Sequence, residues 1–126
     1  MNFLKCFPRY LLLWGGLGIG FIGAFGQSPA IAELMRVSWY GPGFEGSYTA
    51  NGEVFSRYDM TAAHPSWPFD TVLLLTNVET GDRVTVRIND RSGGALDISE
   101  QAARELGTYE LGIAPVNVEI VEWGAE

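Results

Sequence analysis

Apolar and polar residues alternate with a two-residue period along two stretches of this chain. Residues 83–90 (RVTVRIND) put Val84, Val86 and Ile88 on one face, and residues 115–123 (PVNVEIVEW) do the same with Val116, Val118 and Ile120. Such alternation marks a strand with one buried face. Residues 71–78 (TVLLLTNV) are rich in strand formers, and ETGD at 79–82 supplies the Gly and Asp of a hairpin connection to the strand at 83–90. A shorter strand is expected at 37–40 (VSWY), ended by the GPG turn at 41–43. At 99–107 (SEQAARELG) the pattern becomes that of a short helix. Ser99 is a suitable N-cap, Glu100 suits the first turn, and Gly107 suits the stop. Residues 48–64 (YTANGEVFSRYDMTAAH) show neither period, and are too rich in small polar residues to be expected as a core strand. Short strands plus one small helix predict a mainly-β fold on the scale of a compact barrel.

The N-terminus reads differently. Lys5 and Arg9 precede an unbroken apolar run at 11–26 (LLLWGGLGIGFIGAFG), and QSPAIA follows with Ala30 and Ala32 in a small-x-small arrangement. This is the pattern of a secretory signal cleaved after Ala32, and the run is short for a membrane span, which takes about 20 residues. Residues 1–32 are therefore expected to be a signal peptide, with an uncleaved hydrophobic anchor as the alternative, and residues 33–126 a single domain.

Charge and cysteine content narrow the function classes. Of the eight basic residues, Lys5 and Arg9 lie in the leader, so six arginines face all fifteen acids in residues 33–126, a net charge of −9. Such a surface argues against nucleic acid or anionic lipid as partner. The one cysteine, Cys6, is also in the leader, so the domain is held by its core without disulfides. One histidine and no cysteine make a poor zinc site, and no phosphate-cradling glycine loop is present. No metal or cofactor is expected.

Four ionisable residues stand in turn or strand-end contexts, where a scaffold presents reactive groups: Glu53 in TANGE, His64 in TAAH, Asp90 in INDR and Asp97 in LDIS. Each also has a structural explanation. Glu53 follows an Asn-Gly turn and can be solvated, and the nitrogens of His64 can be tied to backbone. Asp90 can pair with Arg91 at the surface, and Asp97 can cap the helix that starts after Ser99. Used together, they suit glycosidic bond cleavage. That reaction needs an acid at the leaving oxygen and a group stabilising positive charge at the anomeric carbon, and a second carboxylate can raise the pKa of the first.

The ordered set SWYG, TANGE, TAAH, VRINDR and LDIS resembles the RlpA (rare lipoprotein A) family of bacterial cell-wall lytic transglycosylases, over 37 to roughly 123. The resemblance implies a six-stranded double-psi β-barrel with one or two short helices, related to expansins. It implies non-hydrolytic cleavage between N-acetylmuramic acid and N-acetylglucosamine of peptidoglycan, leaving 1,6-anhydromuramyl ends, in an exported, periplasmic and monomeric protein. On its terms Asp90, Glu53 and His64 are the catalytic positions, with Asp90 as proton donor. Asp97, Asn51, Tyr40, Arg91 and Trp67 are the substrate-binding candidates, and Trp39 is a further candidate for stacking on sugar. Two departures stand out: DRSGGALDIS shortens the link between Asp90 and Asp97, and Asp70 occupies a position where the family carries glycine. An expansin-like module that binds or loosens the wall without catalysis is the alternative function.

Overall fold

A computed structural model describes residues 32–125, and the expected leader lies outside them except for Ala32. Six strands close into one barrel: β1 (Ala32–Tyr40), β2 (Thr61–Ala63), β3 (Val72–Asn77), β4 (Arg83–Asp90), β5 (Leu96–Ser99) and β6 (Ile113–Glu122). Around the barrel they run β1-β5-β2-β4-β3-β6. The predicted hairpin is β3–β4, antiparallel with Leu75 opposite Val84. Two pairings are parallel, β1 with β5 and β2 with β4, and both join segments far apart in sequence.

The alternating faces fill the interior. Leu73 and Leu75, Val84, Val86 and Ile88, Leu96 and Ile98, and Val116 and Val118 all join one buried cluster. The helix α1 (Glu100–Leu106) adds Ala102, Ala103 and Leu106 to it. Its caps are those expected: the Ser99 side chain accepts from the Ala102 N–H, and Gly107 closes the helix in the left-handed region at φ 83°.

Two expectations change. β1 begins at Ala32 rather than Val37, because it pairs with β6 along most of its length, from Ala32 opposite Glu119 to Ser38 opposite Ile113. The second change concerns 48–64: Thr61, Ala62 and Ala63 form β2, entirely buried between β5 and β4. Small side chains suit that position because the strand is flanked on both sides. A composition typical of loops is here the composition of a tightly enclosed strand.

Candidate active site

The barrel brings the carboxylates together through register. Asp97 on β5 lies opposite Ser38 on β1 and Ala63 on β2, and Ala63 lies opposite Asp90 on β4. Ser38, Asp97, Ala63 and Asp90 therefore form a belt across four neighbouring strands. Between Ala62 and Ala63 the pairing with β4 jumps from Ile88 to Asp90, an irregularity that skips Asn89. Bulges of this kind re-aim side chains at strand ends. The His64 N–H then donates to the Asp90 carbonyl at 3.2 Å, so the histidine continues directly from the same strand end.

Asp90 is gripped by three donors. Its Oδ1 accepts from the Ala50 and Arg91 backbone N–H groups, both at 2.9 Å, and its Oδ2 accepts from the Tyr40 hydroxyl at 3.1 Å. Burial, and then the Asp90 charge, push the Tyr40 phenol well above its ordinary pKa, so it stays a donor. The Tyr40 ring packs against Phe55 at 5.0 Å and edge-on to Phe44 at 5.5 Å. Tyr40 thus donates to Asp90 with its ring packed against these two phenylalanines. The sequence-level alternative of an Asp90–Arg91 ion pair does not form. The Arg91 guanidinium instead donates to the carbonyls of Trp67 (2.8 Å) and His64 (3.3 Å) and lies 4.0 Å over the Phe69 ring. It clamps the loop that carries His64.

Glu53 is held as an anion. Arg87 grips it bidentately, Nη1 to Oε2 at 2.8 Å and Nη2 to Oε1 at 2.9 Å, and Asn89 Nδ2 donates to Oε1 at 3.0 Å. The hydrogen bonds from Arg87 first, and Asn89 next, lower its pKa to about 2. A group so acidic is a fixed negative charge at working pH and no proton donor. Asn51 shapes the loop rather than facing a ligand with its carbonyl: that oxygen accepts from the Thr49 hydroxyl at 2.6 Å and from the Glu53 N–H at 3.2 Å. The same short loop delivers the Ala50 N–H to Asp90, so residues 49–53 tie Glu53 and Asp90 into one unit.

His64 is polarised by its own loop. Nδ1 accepts from the N–H groups of Ser66 (3.1 Å) and Trp67 (2.9 Å), which leaves the proton of the neutral ring on Nε2. Desolvation first, and the Arg91 charge second, lower its pKa and favour that neutral form. Trp67 stacks on the imidazole, ring centroids 3.9 Å apart and 6° from parallel, so one of its faces belongs to His64. Asp97 does not cap α1. Its Oδ1 accepts from the Ser38 hydroxyl, because β5 runs straight into the helix and points Asp97 at β1. Trp39 lies outside the site, stacked on Tyr109 at 4.5 Å with its Nε1–H donated to the Tyr109 carbonyl.

Arg87 and Asn89 were not singled out from sequence. Their signal is the alternation of RVTVRIND itself, which sends both away from the Val84–Val86–Ile88 face. Asp70 joins them. It is the one non-glycine with positive φ (73°) among the described residues, and its Oδ1 accepts from Arg87 Nη1 at 3.0 Å.

The closed six-stranded barrel is a double-psi β-barrel, with Asp90 and His64 at neighbouring strand ends and Glu53 held by Arg87 in the loop between β1 and β2. Residues 33–118 match the family model described as lytic transglycolase, and the chain belongs to that family. It is 47% identical over 102 residues to a protein of Synechocystis sp. named probable endolytic peptidoglycan transglycosylase RlpA, covering 74% of this chain and 32% of that one. It is 41% identical over 92 residues to the endolytic peptidoglycan transglycosylase RlpA of Campylobacter jejuni, covering 70% and 34%. The chain thus spans about a third of the length of the curated relatives it matches. Among solved structures, the Streptomyces papain inhibitor superposes with a TM-score of 0.61 at 16% identity, covering 76% of this chain and all of that one. An expansin of Clavibacter michiganensis superposes with a TM-score of 0.60 at 26% identity, covering 76% and 53%.

Proposed function

We propose that this domain is a peptidoglycan lytic transglycosylase acting in the cell envelope. The observation that carries the reading is the seating of Asp90. Two backbone N–H groups hold one carboxyl oxygen, while the other has Tyr40 as its single partner among the described residues, which leaves it a lone pair for substrate. In this reading Asp90 gives a proton to the leaving glycosidic oxygen as the bond from the muramyl anomeric carbon breaks. It then takes a proton from the muramyl 6-hydroxyl, whose oxygen bonds to that carbon. The carboxyl ends as it began, no water is consumed, and a 1,6-anhydro ring remains. Glu53, ionised down to about pH 2, supplies negative charge to an oxocarbenium-like transition state. His64 offers Nε2–H to a sugar oxygen. The names of the relatives and the family match support this assignment.

The expansin likeness favours a second reading as a wall-binding module. Digestion of purified peptidoglycan by the chain and by its Asp90→Asn variant separates the two. 1,6-Anhydromuramyl ends from the parent alone establish the transglycosylase. Sacculus binding without such ends from either form establishes the binding module. Export through residues 1–32 belongs to the same proposal, and an N-terminus at Glu33 on protein recovered from the envelope is its check.

A further inference from the structure

The end of β6 departs from regular pairing. Its register with β3 runs Val118 opposite Leu75 and Ile120 opposite Leu73, then jumps to Glu122 opposite Val72, leaving Val121 as an extra residue. Such a bulge twists the strand end and re-aims the residues beyond it. Past the bulge, Gly124 crosses the segment leading into β3. Its N–H donates to the Thr71 hydroxyl at 3.0 Å, and a Cβ there would fall 1.9 Å from the Phe69 carbonyl oxygen and 2.7 Å from the Thr71 nitrogen. No side chain fits that crossing, so the backbone is pinned on both sides of Trp123. Trp123 nevertheless stays 59% exposed. It meets Trp67 perpendicularly, centroids 6.3 Å apart, and Trp67 in turn stacks on His64.

A large aromatic held in place by its backbone, left in water and joined to the site through two ring contacts, is a pre-organised apolar face. We propose that Trp123 is a saccharide-stacking platform that extends the glycan-binding surface from His64 past Trp67, taking a neutral pyranose ring of the strand remote from the bond being cleaved. This role rests on the glycan reading of the active site. The C–H face of a sugar ring suits the indole face, and a rigid indole orders few torsions on binding. Trp39 shows the contrast: one face is stacked on Tyr109 and its N–H is donated to the Tyr109 carbonyl.

The test is a titration of the full chain carrying Asp90→Asn, which prevents turnover, with stem-peptide-free peptidoglycan tetra- and hexasaccharides. Indole N–H resonances are monitored by NMR, assigned through single Trp→Phe variants, with Trp39 as the internal reference. The hexasaccharide is expected to shift Trp67 and Trp123 and leave Trp39 in place. Trp123→Ala should weaken hexasaccharide binding roughly 3- to 10-fold and tetrasaccharide binding less, and Trp123→Phe should restore most of it. A shift at Trp67 with Trp123 unmoved would overturn the platform while sparing the glycan reading. Absence of any shift with either oligosaccharide would overturn both.

Discussion

The hydroxyl of Tyr40 donates to Asp90 Oδ2 at 3.1 Å across fifty residues of sequence, joining the end of β1 to the end of β4. Removing only that oxygen, Tyr40→Phe, leaves the ring on Phe44 and Phe55 and deletes the hydrogen bond to Asp90 Oδ2. Stability should fall by roughly 0.5–1.5 kcal/mol. The rate of anhydro-end formation should drop about 10-fold or more, with binding of glycan by Asp90→Asn,Tyr40→Phe little changed from Asp90→Asn alone. Single-turnover product analysis beside a urea melt reads both effects. A Tyr40→Phe chain as fast as the parent would remove Tyr40 from the machinery.

Because the chain has one histidine, its ionisation is directly visible. The two N–H donors on Nδ1 predict the Nε2–H tautomer in a long-range nitrogen–proton NMR spectrum, with a titration midpoint below 6.5. The folded state holds the proton less tightly than the unfolded one, so the contribution of His64 to stability is full above about pH 6.5 and is lost as pH falls below it toward the folded pKa. Arg91→Gln, which takes away a neighbouring charge, should raise the midpoint.

Glu53 works over a lower window. Its pKa is about 2 in the folded protein against 4.5 ordinarily, so its stabilising effect is complete above about pH 4.5 and disappears as pH drops toward 2. Melting temperatures of the parent and Glu53→Gln should differ most near neutrality and converge toward pH 2. Parallel curves over that range would show that the Arg87 pair contributes nothing, which is the ordinary result for exposed ion pairs.

Asp70 combines a left-handed backbone with an ion pair to Arg87 through a carboxylate that is 66% exposed. The backbone term should outweigh the ion pair, because exposed pairs are worth little. Asp70→Gly is expected to fall within about 1 kcal/mol of the parent, and Asp70→Ala to lose roughly 1 kcal/mol or more, since alanine keeps the steric cost without local polar compensation. Urea midpoints of the three proteins test that order.

Local signals carried far in this chain where the interactions themselves are local. The β3–β4 hairpin, the α1 caps and the inward face of β6 were legible because a two-residue period, a capping serine and a stop glycine each act within a few residues. β2 was not legible. Three small residues, Thr61 to Ala63, carry no strand signature, and their place comes from β4 and β5 on either side. Asp97 was misleading for the same reason: two residues before a helix it resembles a cap, and only the parallel pairing with β1 hands it to Ser38.

The sequence by itself determined the chemical inventory: one histidine, the acids at turns and strand ends, and a chain alternating strongly enough to need a closed apolar interior. It also supplied the ordered motifs that name the family. Tertiary structure alone decided which of those groups act on which. Glu53 is held by Arg87, thirty-four residues away, which reaches it from β4, and Trp67 has one face stacked on the imidazole. The physical reason is that closing a barrel with parallel pairings sets neighbours by burial of the whole interior, a cooperative condition that no short window of sequence expresses.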